Sequence, residues 1–481
     1  MESYDLLIVG GGINGTAIAR DAAGRGVKLL LVERDDLGQH TSSASSKLIH
    51  GGLRYLEYYE FRLVREALKE REILLHTAPH IVRPLRFVLP RATGMRPWWM
   101  IRAGLLLYDL LGFGGSLPRS RTAREPMLRQ PLKAGIGGLF CYWDAWVDDA
   151  RLVALNAVDA ARRGATILTR TELMSARREG GVWRASLSDG REVAAGAIVN
   201  AAGPWVAEVL GRRLREDAGA SVRLVKGSHI VVPRLFEGAH AYILQQPDGR
   251  VVFALPYEAE FTLIGTTDIP VERPADAAIT TEEEEYLRAA ANLYFERQLC
   301  AGDIVWRYSG VRALHDDGAA DAKAVTRDYH LELDDDPGAK LLSIFGGKIT
   351  TARALAEEAL AALGLGGRAW TARSYLPGGE RNERGKGSFD DLLGRLERWM
   401  PPPLLARLVR SYGTLLGDLV KDASMIADLG QDFGAGLHEA EIAYLAAHEF
   451  ARTADDVLWR RTKLGLHMTP EQRQAVADRM G

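Results

Sequence analysis

The residues best suited to chemistry form clusters. Gly10-x-Gly12-x-x-Gly15 is followed by an acid, Glu33. Gly10 suits a tight turn, Gly12 lets a pyrophosphate approach the backbone, and Gly15 allows close helix–strand packing, while Glu33 is placed to accept the hydroxyls of an adenosine ribose. Next come the hydroxyl-rich residues 41–47, suited to phosphate contacts, and then His50, Gly51, Gly52, Arg54 and Tyr55. A candidate general base, two glycines and an anion-binding arginine within six residues read as an active-site wall. Arg312, Arg327 and Lys348 add cations that, with Arg54, can converge on one small dianion. His50 and His229 are both candidates to take a proton.

These residues need a scaffold. An apolar run over 6–9, a helical pattern through Arg25 and a second apolar run over 27–32 predict strand, helix and strand, with the helix start presenting N–H groups and its dipole to phosphate. From Ala150 a helix leads to a strand, then to a hairpin turning at Asp189-Gly190 and a buried strand that ends in Asn200-Ala201-Ala202-Gly203-Pro204-Trp205. Residues 221–310 alternate as short antiparallel strands, with His229, Thr267 and Asp268 at strand ends. The acidic run 282–285 reads as a solvated helix start. Arg312 is expected after a strand and glycine, and Lys348 to open a helix after Gly346-Gly347. From about Ser374 the pattern is helical and carries no chemistry, packing on the nucleotide unit or on a second subunit of a homodimer.

The predicted class is α/β. A Rossmann-like dinucleotide domain on a parallel sheet is discontinuous over 1–75, 150–220 and 305–370. An antiparallel-sheet substrate or cap domain covers 76–149 and 221–304, and a carboxyl-terminal helical domain covers 374–481.

Composition bounds the function. The chain has 481 residues, 47% hydrophobic and 26% charged, which is folded rather than disordered, and its formal charge of -2 argues against nucleic acid as a partner. Cys141 and Cys300 stand far apart, giving no disulfide framework and no metal-ligand spacing, as for an intracellular protein. A strand starting near Tyr4 leaves no room for a signal peptide, and no apolar run reaches the roughly 18 residues of a membrane span. Between residues 83 and 124, Arg83, Arg86, Arg91, Arg96, Arg102, Arg119, Arg121 and Arg124 face a single acid, Asp109, around the segment PWWMIRAGLLLYDLLGFGG. That composition suits either a helix lying in the headgroup layer of a membrane or a buried helix with salt-bridged flanks.

The segment SSKLIHGGLRYLE, joined to the amino-terminal fingerprint, resembles the FAD-dependent glycerol-3-phosphate dehydrogenases, within the wider group of FAD-dependent amine and 2-hydroxy-acid oxidoreductases. YSGVR (308–312), VTRD (325–328), FGGKITTAR (345–353) and EIAYLAAHEFARTADDVLWRRTKLG resemble that family's motifs as well, so the likeness runs over nearly the whole chain, most weakly over 370–435. It implies FAD, oxidation of sn-glycerol 3-phosphate to dihydroxyacetone phosphate, electrons passed to a quinone, and a cytoplasmic enzyme held peripherally on the inner face of the cell membrane; with no His or Cys beside the fingerprint to tether it, the FAD is expected to be non-covalent. On this reading the cofactor contacts are Gly10, Gly12, Asn14, Gly15, Glu33, Arg34, Thr41, Ser42, Ser45, Ser46, Lys47, Ala201, Gly203, Trp205, Gly346, Gly347, Lys348, Ile349 and Thr350. Substrate contacts are Arg54, Tyr55, Thr267, Asp268, Arg327 and Lys348. Hydride transfer needs a base, His50 or His229, and Arg312 polarises the substrate oxygen or grips phosphate because guanidinium does not readily deprotonate. The alternatives are an oxidase using oxygen, an amine or amino-acid oxidase with fewer cations, and a non-catalytic nucleotide sensor.

Overall fold

The computed structural model describes residues 1–481 except 92–96, 217–221, 316–328, 336–337 and 381–387. Two sheets organise it. In the first, Lys340–Phe345, Glu192–Asn200, Glu2–Val9, Leu29–Val32 and Thr166–Leu168 run parallel in that spatial order, with His330–Asp334 antiparallel at one edge and the strands Leu173–Glu179 and Val182–Leu187 extending from Glu192–Asn200. The runs are continuously apolar because both faces are covered. On one face Leu6, Ile8, Leu29 and Leu31 meet helices Ile13–Gly24, Asp149–Arg162 and Ala352–Leu363 through Ala17, Ala22, Ala157, Ala160, Ala356 and Ala359. Alanines bring the helix axes close to the sheet and to each other. Tyr4, Leu7, Leu30 and Trp183 fill the opposite face.

The second sheet runs Ile269–Val271, Val222–Pro233, Phe261–Gly265, Val251–Tyr257, His240–Gln245, Val82–Pro90, Leu139–Val147 and Leu48–Ile49, antiparallel except where His240–Gln245 meets Val82–Pro90. Trp306–His315 pairs along Val222–Pro233 in this sheet, although it lies in a stretch expected to sit with the nucleotide unit. Arg312 is therefore inside a strand, not after one. Helix Thr281–Asn292 covers one face, and helices Phe61–Thr77 and Trp98–Leu111 cover the other through Val64, Leu68, Leu105 and Tyr108.

The acidic run at the start of helix Thr281–Asn292 is not wholly solvated. Glu283 closes a capping box with Thr280 and is itself buried, pairing with Lys226 Nζ at 2.8 Å and accepting from the Ser228 and Thr267 hydroxyls. Hydropathy gives every glutamate of that run the same weight; helix phase turns one of them into the sheet.

The carboxyl-terminal helices Phe389–Leu396, Pro402–Tyr412, Glu439–His448 and Pro470–Met480 share a core with Ile49, Leu74, Ile81, Leu152 and Leu155 of the same chain. Buried ion pairs fasten them. Arg461 holds Asp36 at 2.8 Å with both side chains fully buried, Arg151 pairs with Glu449, and the Trp459 ring stacks on Trp306 at 3.9 Å.

Candidate active site

Both sheets open onto one cavity of about 500 Å³. At its nucleotide end Gly10 takes a left-handed φ of +112°, and a Cβ there would lie 2.5 Å from the Ala201 carbonyl oxygen. A Cβ on Gly15 would sit 1.9 Å from the Gly10 carbonyl oxygen, so the packing role read from the fingerprint is explicit. Glu33 accepts the Gly11 N–H at 2.6 Å and the Asp35 N–H at 2.9 Å, and burial raises its pKa despite those bonds. The amides aim the carboxyl group, whose other lone pairs remain for ribose hydroxyls. Arg34 lies over the Trp205 ring at 4.3 Å and His40 against the same ring at 4.6 Å, forming a rim with Gly203.

The hydroxyl-rich loop is mostly engaged with the protein itself. Thr41 donates to the Val311 carbonyl, the Ser42 hydroxyl accepts from Ile13 N–H, Ser45 donates to Asp149, and Ser46 is bonded to His229 Nε2 at 2.8 Å. Those residues line the cavity, but Lys47 does not: its buried ammonium pairs with Asp149 at 2.7 Å. The loop is a fixed wall rather than a set of idle phosphate donors.

At the other end, Gly52 with φ +75° turns the chain into the short helix Leu53–Tyr58, which presents Arg54 and Tyr55. Lys348 Nζ stands 4.1 Å from the Tyr55 ring centre, and Arg312 donates to Asp268 Oδ1 at 2.6 Å. Arg54 Nε and Lys348 Nζ are buried and have no hydrogen-bond partner among the described residues, which is costly unless an anion joins them. Lys348 does not open a helix. It opens a turn closed by the Thr351 N–H on its carbonyl at 3.1 Å, ahead of helix Ala352–Leu363, and Asn14 Nδ2 bonds the preceding Gly346 carbonyl at 3.2 Å.

Other expectations change. His229 lies mid-strand, fully buried, stacked on Tyr308 at 4.8 Å and off the cavity surface; burial, then Lys47 and Arg312, hold its pKa well below the usual imidazole value. Thr267 is likewise buried, donating to Glu283 and accepting from Ser228 N–H. His50 lines the cavity, edge-on to Phe253 at 6.5 Å. Gly346, Gly347, Ile349 and Thr350 line it as well, as do Asn14, Ala201 and Gly12. Arg327 lies outside the described residues. Sequence reasoning passed over His40, Gln245 and Phe253, which line the cavity from positions without a motif. Strand register places the last two, and register is not visible in composition.

A family model described as FAD dependent oxidoreductase matches residues 5–372. The chain belongs to the FAD-dependent oxidoreductase family. The remainder of this oxidoreductase, residues 369–480, matches the C-terminal domain of alpha-glycerophosphate oxidase. It is 53% identical to a glycerol-3-phosphate dehydrogenase of Pseudomonas aeruginosa over 98% of this chain and 94% of that one. It is 51% identical to a D-erythritol 1-phosphate dehydrogenase of Brucella abortus over 99% of this chain and 97% of that one. The crystal structure of a Bacillus halodurans glycerol-3-phosphate dehydrogenase complexed with FAD superposes with a TM-score of 0.73 at 27% identity, covering 99% of this chain and 93% of that one. The glycine cradle, the amide-aimed Glu33 and the unpaired Asn14 Oδ1 fit FAD at the site built above.

Proposed function

We propose that this chain oxidises the secondary alcohol of sn-glycerol 3-phosphate to dihydroxyacetone phosphate and passes the electrons to a quinone at a membrane surface. The observation that carries the reading is the convergence of Arg54, Arg312 and Lys348 with His50 on one cavity that also holds the dinucleotide cradle. Arg54 and Lys348, whose Nε and Nζ are buried without a hydrogen-bond partner among the described residues, bind the phosphate dianion, and that remote grip fixes the reacting carbon. Arg312, oriented by Asp268, polarises the substrate oxygen. His50 takes the hydroxyl proton at a ring nitrogen; His229, kept neutral behind Ser46, holds the loop. Bound FAD, held by Gly10, Gly12, Glu33, Trp205 and residues 346–350, supplies the hydride acceptor.

The membrane part of the proposal is supported by helix Trp98–Leu111. Leu105 and Tyr108 point inward while Trp99, Met100, Leu106, Leu110 and Phe113 are exposed at 70%, 44%, 52%, 68% and 75%. Positions 99, 106 and 110 recur at helical spacing, so they form one face; Phe113 follows the helix end, with Arg119 over its ring at 5.5 Å. Trp98 belongs to the other side, stacked on Phe140 at 3.4 Å. No helix among the described residues is long and apolar enough to cross a membrane. A peripheral apolar face with flanking cations suits anionic lipid.

Anaerobic mixing of the purified yellow protein with sn-glycerol 3-phosphate tests the reaction. Loss of the yellow flavin absorbance is expected with the phosphate and not with glycerol. Equal bleaching by glycerol would overturn the role of the cations. D-Erythritol 1-phosphate, which the name of the Brucella relative brings in, belongs in the same experiment.

A further inference from the structure

Across the second sheet, side chains facing the cavity form rows. Phe253 stands opposite Ile243 in one neighbouring strand and opposite Gly265 in the other. Ile243 and Phe253 line the cavity, and His50 meets the Phe253 ring edge-on. Two residues further along, Val251 stands opposite Gln245, and both line the cavity. Directly opposed residues of an antiparallel pair share a face, and residues two apart in one strand share it too. Gln245 therefore belongs to the same wall as Phe253, one row from the ring that His50 touches.

The sheet residues that share this wall with it, Ile243, Val251 and Phe253, are apolar. Gln245 is 9% exposed, and its Oε1 is buried with no hydrogen-bond partner among the described residues. Its backbone is fixed, because its carbonyl accepts from the Tyr294 hydroxyl. A buried amide oxygen without a partner is unfavourable in the protein alone, and a ligand group that donates, such as a hydroxyl, would satisfy it. The charged end of the substrate has other partners, since Arg54 and Lys348 come from segments outside this sheet.

We infer that Gln245 determines specificity by hydrogen-bonding the terminal, uncharged hydroxyl of a polyol phosphate, the hydroxyl on the carbon next to the one oxidised. This rests on the reading of the cavity as a polyol-phosphate site. A site built to pair a substrate hydroxyl discriminates against the analogue that lacks it, because its buried partner is then left unmatched.

The experiment compares sn-glycerol 3-phosphate with 2-hydroxypropyl phosphate, which keeps the phosphate and the oxidisable alcohol but has a methyl group in place of the terminal hydroxymethyl group. Rates of anaerobic flavin bleaching give kcat/KM-type constants for each, in the wild-type holoenzyme and in Gln245→Met and Gln245→Leu. The wild type should prefer sn-glycerol 3-phosphate by about a hundredfold or more. In the variants that preference should fall to about tenfold or less, through loss on the glycerol phosphate with little change on the analogue, at normal flavin content. If neither variant folds with flavin, the wild-type ratio decides, and a ratio under about tenfold overturns the inference. Variants that bleach with undiminished preference overturn the role of Gln245 alone. A wild-type flavin that stays yellow with both phosphates overturns the polyol-phosphate reading, and this inference with it.

Discussion

The Tyr108 hydroxyl accepts the Gly51 N–H at 2.9 Å and donates to the Asp144 carboxylate at 2.8 Å. Tyr108 lies on the inward side of helix Trp98–Leu111, and Gly51 lies between His50 and the turn that presents Arg54 and Tyr55. Asp144 is completed by Arg71 Nη1 at 2.7 Å. A Cβ on Gly51 would stand 2.6 Å from the Tyr108 oxygen, so the glycine is what permits the bond. The helix with the exposed apolar face thus also anchors the backbone of the site.

Tyr108→Phe removes that anchor and leaves the Gly51 N–H buried without its acceptor. The expected cost is about 1–3 kcal/mol in stability, with a raised KM for sn-glycerol 3-phosphate and unchanged flavin content. Chemical denaturation and steady-state kinetics check it, and wild-type values for both would remove the anchor from the account.

His80 gives a pH prediction. Burial first, then Arg151, push its pKa from 6.5 down to about 3. The folded protein keeps this imidazole neutral while the unfolded chain protonates it, so its share of stability is fully present above pH 6.5 and is lost as pH falls toward about 3. His80→Gln should flatten the loss of stability between pH 6.5 and pH 5 by up to about 2 kcal/mol. Unfolding midpoints of both proteins across that window, with an unaltered slope in the variant, would contradict it.

Asp36 and Arg461 are both fully buried and joined across most of the chain length. Arg461→Met strands a carboxylate that Arg460 only partly covers, at an expected cost of about 3–5 kcal/mol. The double variant Asp36→Leu with Arg461→Met should recover much of that loss. Denaturant titration of the single and double variants measures it.

For the proposed lipid face, Trp99→Ser with Leu106→Ser and Leu110→Ser should leave a folded, yellow protein that no longer sediments with anionic vesicles at low salt. Trp98→Ser should instead lower stability by about 0.5–3 kcal/mol, because its partly buried ring stacks on Phe140. Retained sedimentation in the triple variant would move the docking surface elsewhere.

The sequence held the fingerprint, the parallel order around it and the helical carboxyl end, because each is written as a local pattern: glycine spacing, apolar runs, helical periodicity. What it could not hold is facing. Trp98 and Trp99 are identical in composition and adjacent, yet one is partly buried, stacked on Phe140, and the other is 70% exposed. Glu283 differs from its acidic neighbours only in the direction it points. His229 has a suitable side chain in a suitable stretch, but sheet pairing buries it behind Ser46. Gln245 had no motif to mark it, and becomes visible only when its strand is set in register against Val251.

The bond from Asn14 to the Gly346 carbonyl spans 332 residues of sequence. The cradle begins to take shape once residues 10–15 emerge, but the loop that closes it leaves the ribosome only after all of those residues have been added. At roughly 5–20 residues per second, that is an interval of roughly 20–70 s. Until helix Asp149–Arg162 and strands Thr166–Leu168 and Glu192–Asn200 emerge, the first strand–helix–strand unit waits with both sheet edges and its apolar helix face uncovered; helix Ala352–Leu363 packs on it only after Gly346, and the Asp36 partner, Arg461, arrives later still. Cofactor capture is therefore a late event in the life of the nascent chain. The yield of yellow protein in a cell should depend on how well that waiting segment is shielded, as much as on the supply of FAD.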